Sequence, residues 1–174
     1  MRTIGLDDRL EMTAKSGRFG RTCLLWKGQK QQLKKRGVNV ITIAELKKAY
    51  YMCYITWIIP TKDTFSEQLY NISLENCTPI PCADKNSVSS YLRQVASMTA
   101  MSAVVSVEEP VQAQVIDFLK EEGFSFNILN DVPYTIYVDW ATSPENTSAR
   151  QLQKLATELL YTEAFHLKNE KLQK

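Results

Sequence analysis

Two short alternating runs restrict this chain's fold more than any other feature. Phe124, Phe126 and Ile128 alternate with other residues, Asn130-Asp-Val-Pro133 turns the chain, and Tyr134, Ile136, Val138 and Trp140 alternate again. Period-two alternation sends successive side chains to opposite faces, so the pattern predicts an antiparallel hairpin, about 124–140, with one apolar face. The preceding residues form a unit with it. Residues 104–107 read as a strand, and Glu108-Glu109-Pro110 opens a helix, with proline in the first turn and acids at the positive end of the dipole. Val111, Val115 and Leu119 repeat at four-residue spacing with Ile116 beside them, and Gly123 ends that helix.

The remaining elements follow from local signals. Residues 6–15 predict a short helix, interrupted by Ser16-Gly17 and Gly20. Residues 21–36 read as a second helix, with Gly37 as its stop and Lys34, Lys35 and Arg36 in a last turn that suits cations. Residues 38–41 predict a strand, and Thr42-Ile-Ala-Glu45 has the form of a capping box opening a further helix. The run 49–59 is apolar on every side. Periodicity does not separate helix from strand there, and the reading adopted is a buried helix ending before Pro60. Residues 63–74 predict a helix with Phe65, Leu69 and Ile72 on one face, and the prolines of 77–82 predict a loop. Residues 87–101 predict a helix, and Ser143-Pro144-Glu145 opens a long C-terminal one striped with Leu152, Leu155, Ala156, Leu159, Leu160 and Leu167. No internal repeat or low-complexity segment is visible. The expectation is a helix-rich α+β single domain with a small antiparallel sheet, arranged as a basic N-terminal extension (1–41) and an α+β body (42–174).

Charge is distributed unevenly. Residues 1–50 hold 12 Lys/Arg against 4 Asp/Glu, net +8, whereas residues 51–147 hold 4 against 12, net −8. Such a split predicts a basic surface facing a polyanion or an acidic partner, or else a basic segment folded onto its own acidic body or a neighbouring copy. The contact candidates are Arg18, Arg21, Lys27, Lys30, Lys34, Lys35 and Arg36. Lys/Arg groups that neutralise phosphates bind without reading bases. Phe19 and Trp26 could stack on bases of a single strand, although Leu24 and Leu25 beside Trp26 make it read as a core anchor. The apolar run at 49–59 is shorter than the roughly 20 residues a membrane span needs, and no signal peptide is visible. An intracellular chain is expected, with Cys23, Cys53, Cys77 and Cys82 as reduced thiols.

Catalytic signatures are sparse. His166 is the one histidine, with Glu163 and Glu170 at helical spacing, which reads as a solvated ionic face. Cys77 and Cys82 are spaced too widely for a typical zinc pair. Glu45-Leu-Lys47 matches the E-x-K piece of some metal-dependent nucleases, with Asp7 or Asp8 as the upstream carboxylate, but Glu45 already has a capping role. No phosphate-loop, dinucleotide-loop or nucleophile-elbow string occurs. No cofactor, metal site or catalytic set is expected. The helix and hairpin at 110–140 have the order of a winged helix. Asp131 and Asp139, with no Lys or Arg between Gly123 and Trp140, would repel phosphates, so this part reads as a packing or protein-contact module.

Residues 97–140, SMTAMSAVVSVEEPVQAQVIDFLKEEGFSFNILNDVPYTIYVDW, resemble a module of tailed-phage virion structural proteins in which helix, strand, helix and hairpin end in a strand closing on Trp. The resemblance implies a non-enzymatic component of a large assembly, a head, neck or tail protein found in the host cytoplasm and the virion. Its partners would be other protein subunits and, through the basic portion, a nucleic acid backbone or an acidic neighbour. A free nucleic-acid-binding or regulatory protein is the alternative.

Overall fold

The apolar run at 49–59 decides the architecture of the first half of the chain, and it does so as a strand. A computed structural model describes residues 5–46 and 49–172, with side chains through residue 162. Its first elements are α1 (Leu6–Lys15), β1 (Gly20–Trp26), α2 (Lys27–Lys35), β2 (Asn39–Glu45), β3 (Tyr50–Thr56) and α3 (Phe65–Asn76). β3 lies centrally in the order β1-β3-β2 and is antiparallel to both neighbours. All residues from Met52 to Thr56 are buried. A strand covered on both faces reads as a continuous apolar run, which explains the mistaken helix.

Two more expectations change for related reasons. The helix expected over 21–36 begins only at Lys27, because 20–26 is β1. Within it Cys23 and Leu25 are buried while Leu24 and Trp26 are exposed, an alternation that belongs to a strand. Thr42–Glu45 opens no helix; it completes β2 beyond a bulge between Thr42 and Ala44.

The second half contains β4 (Ile80–Cys82), α4 (Lys85–Ser97), β5 (Ser102–Val107), a 3-10 turn (Glu109–Val111), α5 (Gln112–Glu121), β6 (Ser125–Asp131), β7 (Tyr134–Asp139) and α6 (Ser148–Leu172). The sheet order is β4-β5-β7-β6, and the expected hairpin is β6–β7. Part of the predicted 77–82 loop is therefore strand β4. Asp84 caps α4 by accepting from the Ser87 N–H at 2.8 Å. Among the described residues the chain is thus α+β and helix-rich, with six helices, the last of them C-terminal, and two small sheets. It divides into two compact units, Met1–Ile80 and Pro81–Lys174. The boundary expected after residue 41 lies inside β2, and residues 5–41 supply α1, β1, α2 and the start of β2 to the first unit.

The two units repeat one design. α1-β1-α2-β2-β3-α3 and α4-β5-α5-β6-β7-α6 have the same element order, and their shared three strands pair in the same order, β1-β3-β2 and β5-β7-β6. The bulge of β2 between Thr42 and Ala44 recurs in β6 between Ile128 and Asn130. Helix α2 ends at Gly37 with φ +80°, helix α5 at Gly123 with φ +82°. In both places the next N–H reaches back five residues, Val38 to Leu33 O and Phe124 to Leu119 O, each at 2.9–3.1 Å. Each central strand runs into a fully buried tryptophan, Trp57 or Trp140. Its backbone N–H donates across to the residue just ahead of the first strand, to Phe19 O or Met101 O, both at 3.1 Å. The turn that follows contains Asp63 (φ 58°) or Asn146 (φ 61°), and then Thr64 or Thr147, whose hydroxyl donates back three residues to Thr61 O or Pro144 O.

The cores correspond as well. Leu10 and Ala14 of α1 match Leu92 and Ala96 of α4, Leu33 matches Leu119, and Leu69 matches Leu152, all buried. One difference is instructive. The Trp57 indole N–H donates to Ser73 Oγ at 2.8 Å, and Ser73 donates to Arg18 O at 2.7 Å. In the second unit Ala156 stands in the place of Ser73, and the Trp140 indole reaches Ala100 O directly at 3.0 Å.

The repeat makes a matched prediction. A Cβ at Gly37 would meet Thr64 Oγ1 at 2.6 Å, and one at Gly123 would meet Thr147 at 2.8 Å, both on left-handed backbone. Gly37→Ala and Gly123→Ala should each destabilise the protein by about 1–3 kcal/mol, measured by urea unfolding of the full chain. A neutral result at either position would contradict the shared turn geometry.

Candidate functional site

The first unit carries the positive charge. Residues 1–80 contain 13 Lys/Arg and 7 Asp/Glu, net +6; residues 81–174 contain 8 and 12, net −4. No Asp or Glu occurs between Met12 and Ala44, a span holding eight Lys/Arg. The seven predicted contact residues all fall in that span, but the fold separates them.

Three are engaged within the unit. Arg21 donates through Nη1 to Thr13 Oγ1 at 3.3 Å and Arg9 O at 3.4 Å, tying β1 to α1. Arg36 pairs with Asp7 at 2.8 Å and lies 3.9 Å from the centroid of the Phe65 ring. Lys30 donates to Thr42 Oγ1 at 2.7 Å and sits 4.0 Å from the Tyr51 ring centroid. The other four, Arg18, Lys27, Lys34 and Lys35, are exposed. Lys27, Lys34 and Lys35 share α2, where spacings of seven and eight residues bring side chains to one side. Arg18 lies beyond the far end of β1, a strand roughly 20 Å long at about 3.3 Å per residue.

The aromatic residues exchange roles relative to expectation. Phe19 is buried and packs on Tyr70, with ring centroids 5.6 Å apart, so it is not available to stack on a base. Trp26 is 53% exposed and stacks on Tyr50, itself 40% exposed, at 6.0 Å and 29° between planes. It is not the core anchor its neighbours imply, because it occupies the outward register of β1 together with Leu24. Its backbone N–H is held by Gln29 Oε1 at 3.2 Å, which fixes the entry to α2. The surface that emerges is Leu24, Trp26 and Tyr50 beside Lys27, continuing along α2 to Lys34 and Lys35. The signal that sequence reasoning missed is Tyr50, which joins Trp26 only once 50–56 is a strand paired with β1 (Trp26 opposite Tyr50).

The thiols fall in separate places. Cys23 and Cys53 face one another across β1 and β3. All four cysteines are thiols and not disulfides, and burial raises each above its ordinary range, which keeps it protonated at neutral pH. Glu45 is exposed at the end of β2, and Lys47 lies outside the described residues. The side chains of Glu163, His166, Leu167 and Glu170 also lie outside them. Among the described residues, no three His, Cys, Asp or Glu side chains gather closely enough to hold a metal ion. No helix among them is long and apolar enough to cross a membrane.

The second unit holds one perturbed acid. Asp139 ends β7 in the position that Thr56 occupies in β3, and it is buried with Oδ1 unpartnered. Burial pushes its carboxyl up to about 6, opposed by hydrogen bonds from the Tyr137 side chain and the Ala141 N–H. The folded state holds the proton more tightly than the unfolded chain, so the carboxyl costs nothing below pH 4 and destabilises increasingly as pH rises through 6. Asp139→Asn should match the parent near pH 4 and exceed it by about 3 kcal/mol at most above pH 7, read from urea unfolding across pH. A pH-independent difference would contradict this environment for Asp139.

No protein-family model matches the sequence, and no curated protein or solved structure matches it significantly.

Proposed function

We propose that this protein is a non-enzymatic structural component of a large assembly, a head, neck or tail protein of a phage virion. It packs through its α+β units and uses its basic first unit to contact nucleic acid or an acidic neighbouring subunit. The observation that carries this reading is the charge partition between the units, +6 against −4, with an acid-free span from Met12 to Ala44 in the first. Units of opposite sign in one chain favour association between copies or neighbours, and they favour it over non-specific aggregation because register is fixed by charge. Native mass spectrometry at micromolar concentration, with and without a 30-nucleotide single strand, tests it. Discrete oligomers or a stoichiometric nucleic acid complex are expected; a strict monomer that binds no strand contradicts it.

The exposed Trp26–Tyr50 stack beside Lys27 favours a second reading, a free protein that binds single-stranded nucleic acid. Stacking of a base on an aromatic face is sequence-tolerant, and Lys contacts to phosphate make affinity salt-dependent. Under this reading Trp26→Ala weakens binding about tenfold or more at fixed salt. Replacing Lys27, Lys34 and Lys35 with Gln lowers the slope of log affinity against log salt by about 2. Binding by fluorescence anisotropy that is indifferent to both changes would exclude this surface.

A further inference from the structure

The repeat shows what one edge of this module is built to accept. The four outer edges of the two three-stranded cores are treated differently. β2 and β6 are bulged, a device that spoils pairing with a further strand. The outer edge of β5 is covered by β4. Its counterpart β1 is straight, in unbroken register from Gly20 opposite Thr56 to Trp26 opposite Tyr50, and stands at the end of its sheet.

The direction of the backbone groups on β1 can be fixed. Trp57 N donates to Phe19 O, so residues 19, 21, 23 and 25 face β3, and Thr22 and Leu24 turn their N–H and C=O groups outward. Among the described residues nothing meets those groups; the outward Trp26 N–H alone is answered, by Gln29. The same alternation in the second unit, set by Trp140 N donating to Met101 O, turns Ser102, Val104 and Ser106 toward β4. A seven-residue edge without a bulge, flanked by Leu24 at 49% and Trp26 at 53% exposure, is a template for strand addition.

We infer that β1 is a docking edge for an extended segment of a partner protein that alternates apolar and acidic residues and adds to the sheet as β4 does in the second unit. The occupant's form comes from β4, and its charge from the surroundings: Arg18, Lys27, Lys34 and Lys35 are exposed and no acid lies between Met12 and Ala44. Leu24 and Trp26 offer apolar contact to alternate residues of the incoming strand. Two β1 edges facing each other would bring like charges together, which disfavours a second copy in this role. The inference rests on the protein-partner side of the proposed function and names the partner's shape and the edge that takes it.

The probe is a fluorescein-labelled decapeptide of alternating Glu and Val, with a Lys/Val peptide as its counterpart. Binding is followed by anisotropy, and amide exchange is followed residue by residue by NMR. The parent chain should bind the Glu/Val peptide saturably, and the amides of Thr22 and Leu24 should slow at least tenfold. Leu24→Pro removes an outward N–H that the internal ladder does not use, and it should weaken binding at least tenfold beyond any effect of Leu24→Ala, which keeps the N–H and loses only the side-chain contact. Thr22→Pro takes the place of Leu24→Pro if circular dichroism shows the latter unfolded. The inference is overturned if binding is not saturable, if the proline variant binds like the parent, or if the Lys/Val peptide binds equally well. Sedimentation showing a parent dimer that Leu24→Pro abolishes would also overturn it, by assigning the edge to a second copy. Loss of binding in the Lys27, Lys34 and Lys35 variant with unchanged Thr22 and Leu24 amides on peptide addition would overturn strand addition while leaving the charge-based function intact.

Discussion

Each unit depends on the tryptophan that ends its central strand. Trp57 and Trp140 are fully buried, and each is held at two points, by a backbone N–H donated to the residue before the first strand and by an indole N–H that finds an acceptor inside. An indole without that acceptor would carry an unmet donor into the core at a cost of about 1–3 kcal/mol. The first hydrogen bond sets the register between the outer and central strands. The second pins the end of that sheet to its surroundings, through Ser73 of α3 in one unit and the carbonyl of Ala100, just after α4, in the other. Once the register is set, the direction of every backbone group on β1 and β5 follows, and with it which edge is open.

The sequence makes the second unit readable and obscures the first. The hairpin at 124–140 declares itself because its sequence alternates apolar and polar residues, even though β7 is buried from Thr135 to Asp139. β3 declares nothing, because both of its faces are covered and its apolar residues lack a period. Misreading that strand as a helix removes its partners too: β1 is absorbed into a helix with α2, and half of β2 becomes a cap. The repeat is hidden for a related reason. Equivalent residues lie 82 apart at Leu10 and Leu92, 86 apart at Gly37 and Gly123, and 83 apart at Trp57 and Trp140. The 3-10 turn at Glu109–Val111 lengthens the second copy, and its tighter β6–β7 turn shortens it. What survives is what the backbone and core require: the left-handed glycine, the tryptophan, the capping threonine and the leucines beneath the helices.

Of the candidate site, the sign of the charge was legible and its arrangement was not. A run of cations reads as one patch in a sequence, yet Arg21 and Lys30 tie helices to the sheet and Arg36 ties the end of α2 to α1 and α3. Trp26 reads as core from its neighbours and is surface because strand alternation puts it opposite Leu25. The surface left after these corrections is smaller and better defined, an open strand edge bordered by exposed aromatics and by three lysines of α2. It lies on the unit with the positive charge, whereas the unit with the negative charge has the corresponding edge filled. One design is thus used twice, closed in one copy and available in the other.

Amide hydrogen exchange of the unliganded full chain reads the difference between β1 and β5 at the backbone itself. The β5 amides turned toward β4 should include at least one protected to the level of the core strands, while Thr22 and Leu24 exchange at rates close to those of exposed loops. The inward amides of Cys23 and Leu25 should be protected in the same experiment. Equal protection of Thr22, Leu24 and the β4-facing amides of β5 would mean that β1 is already covered and is no open edge.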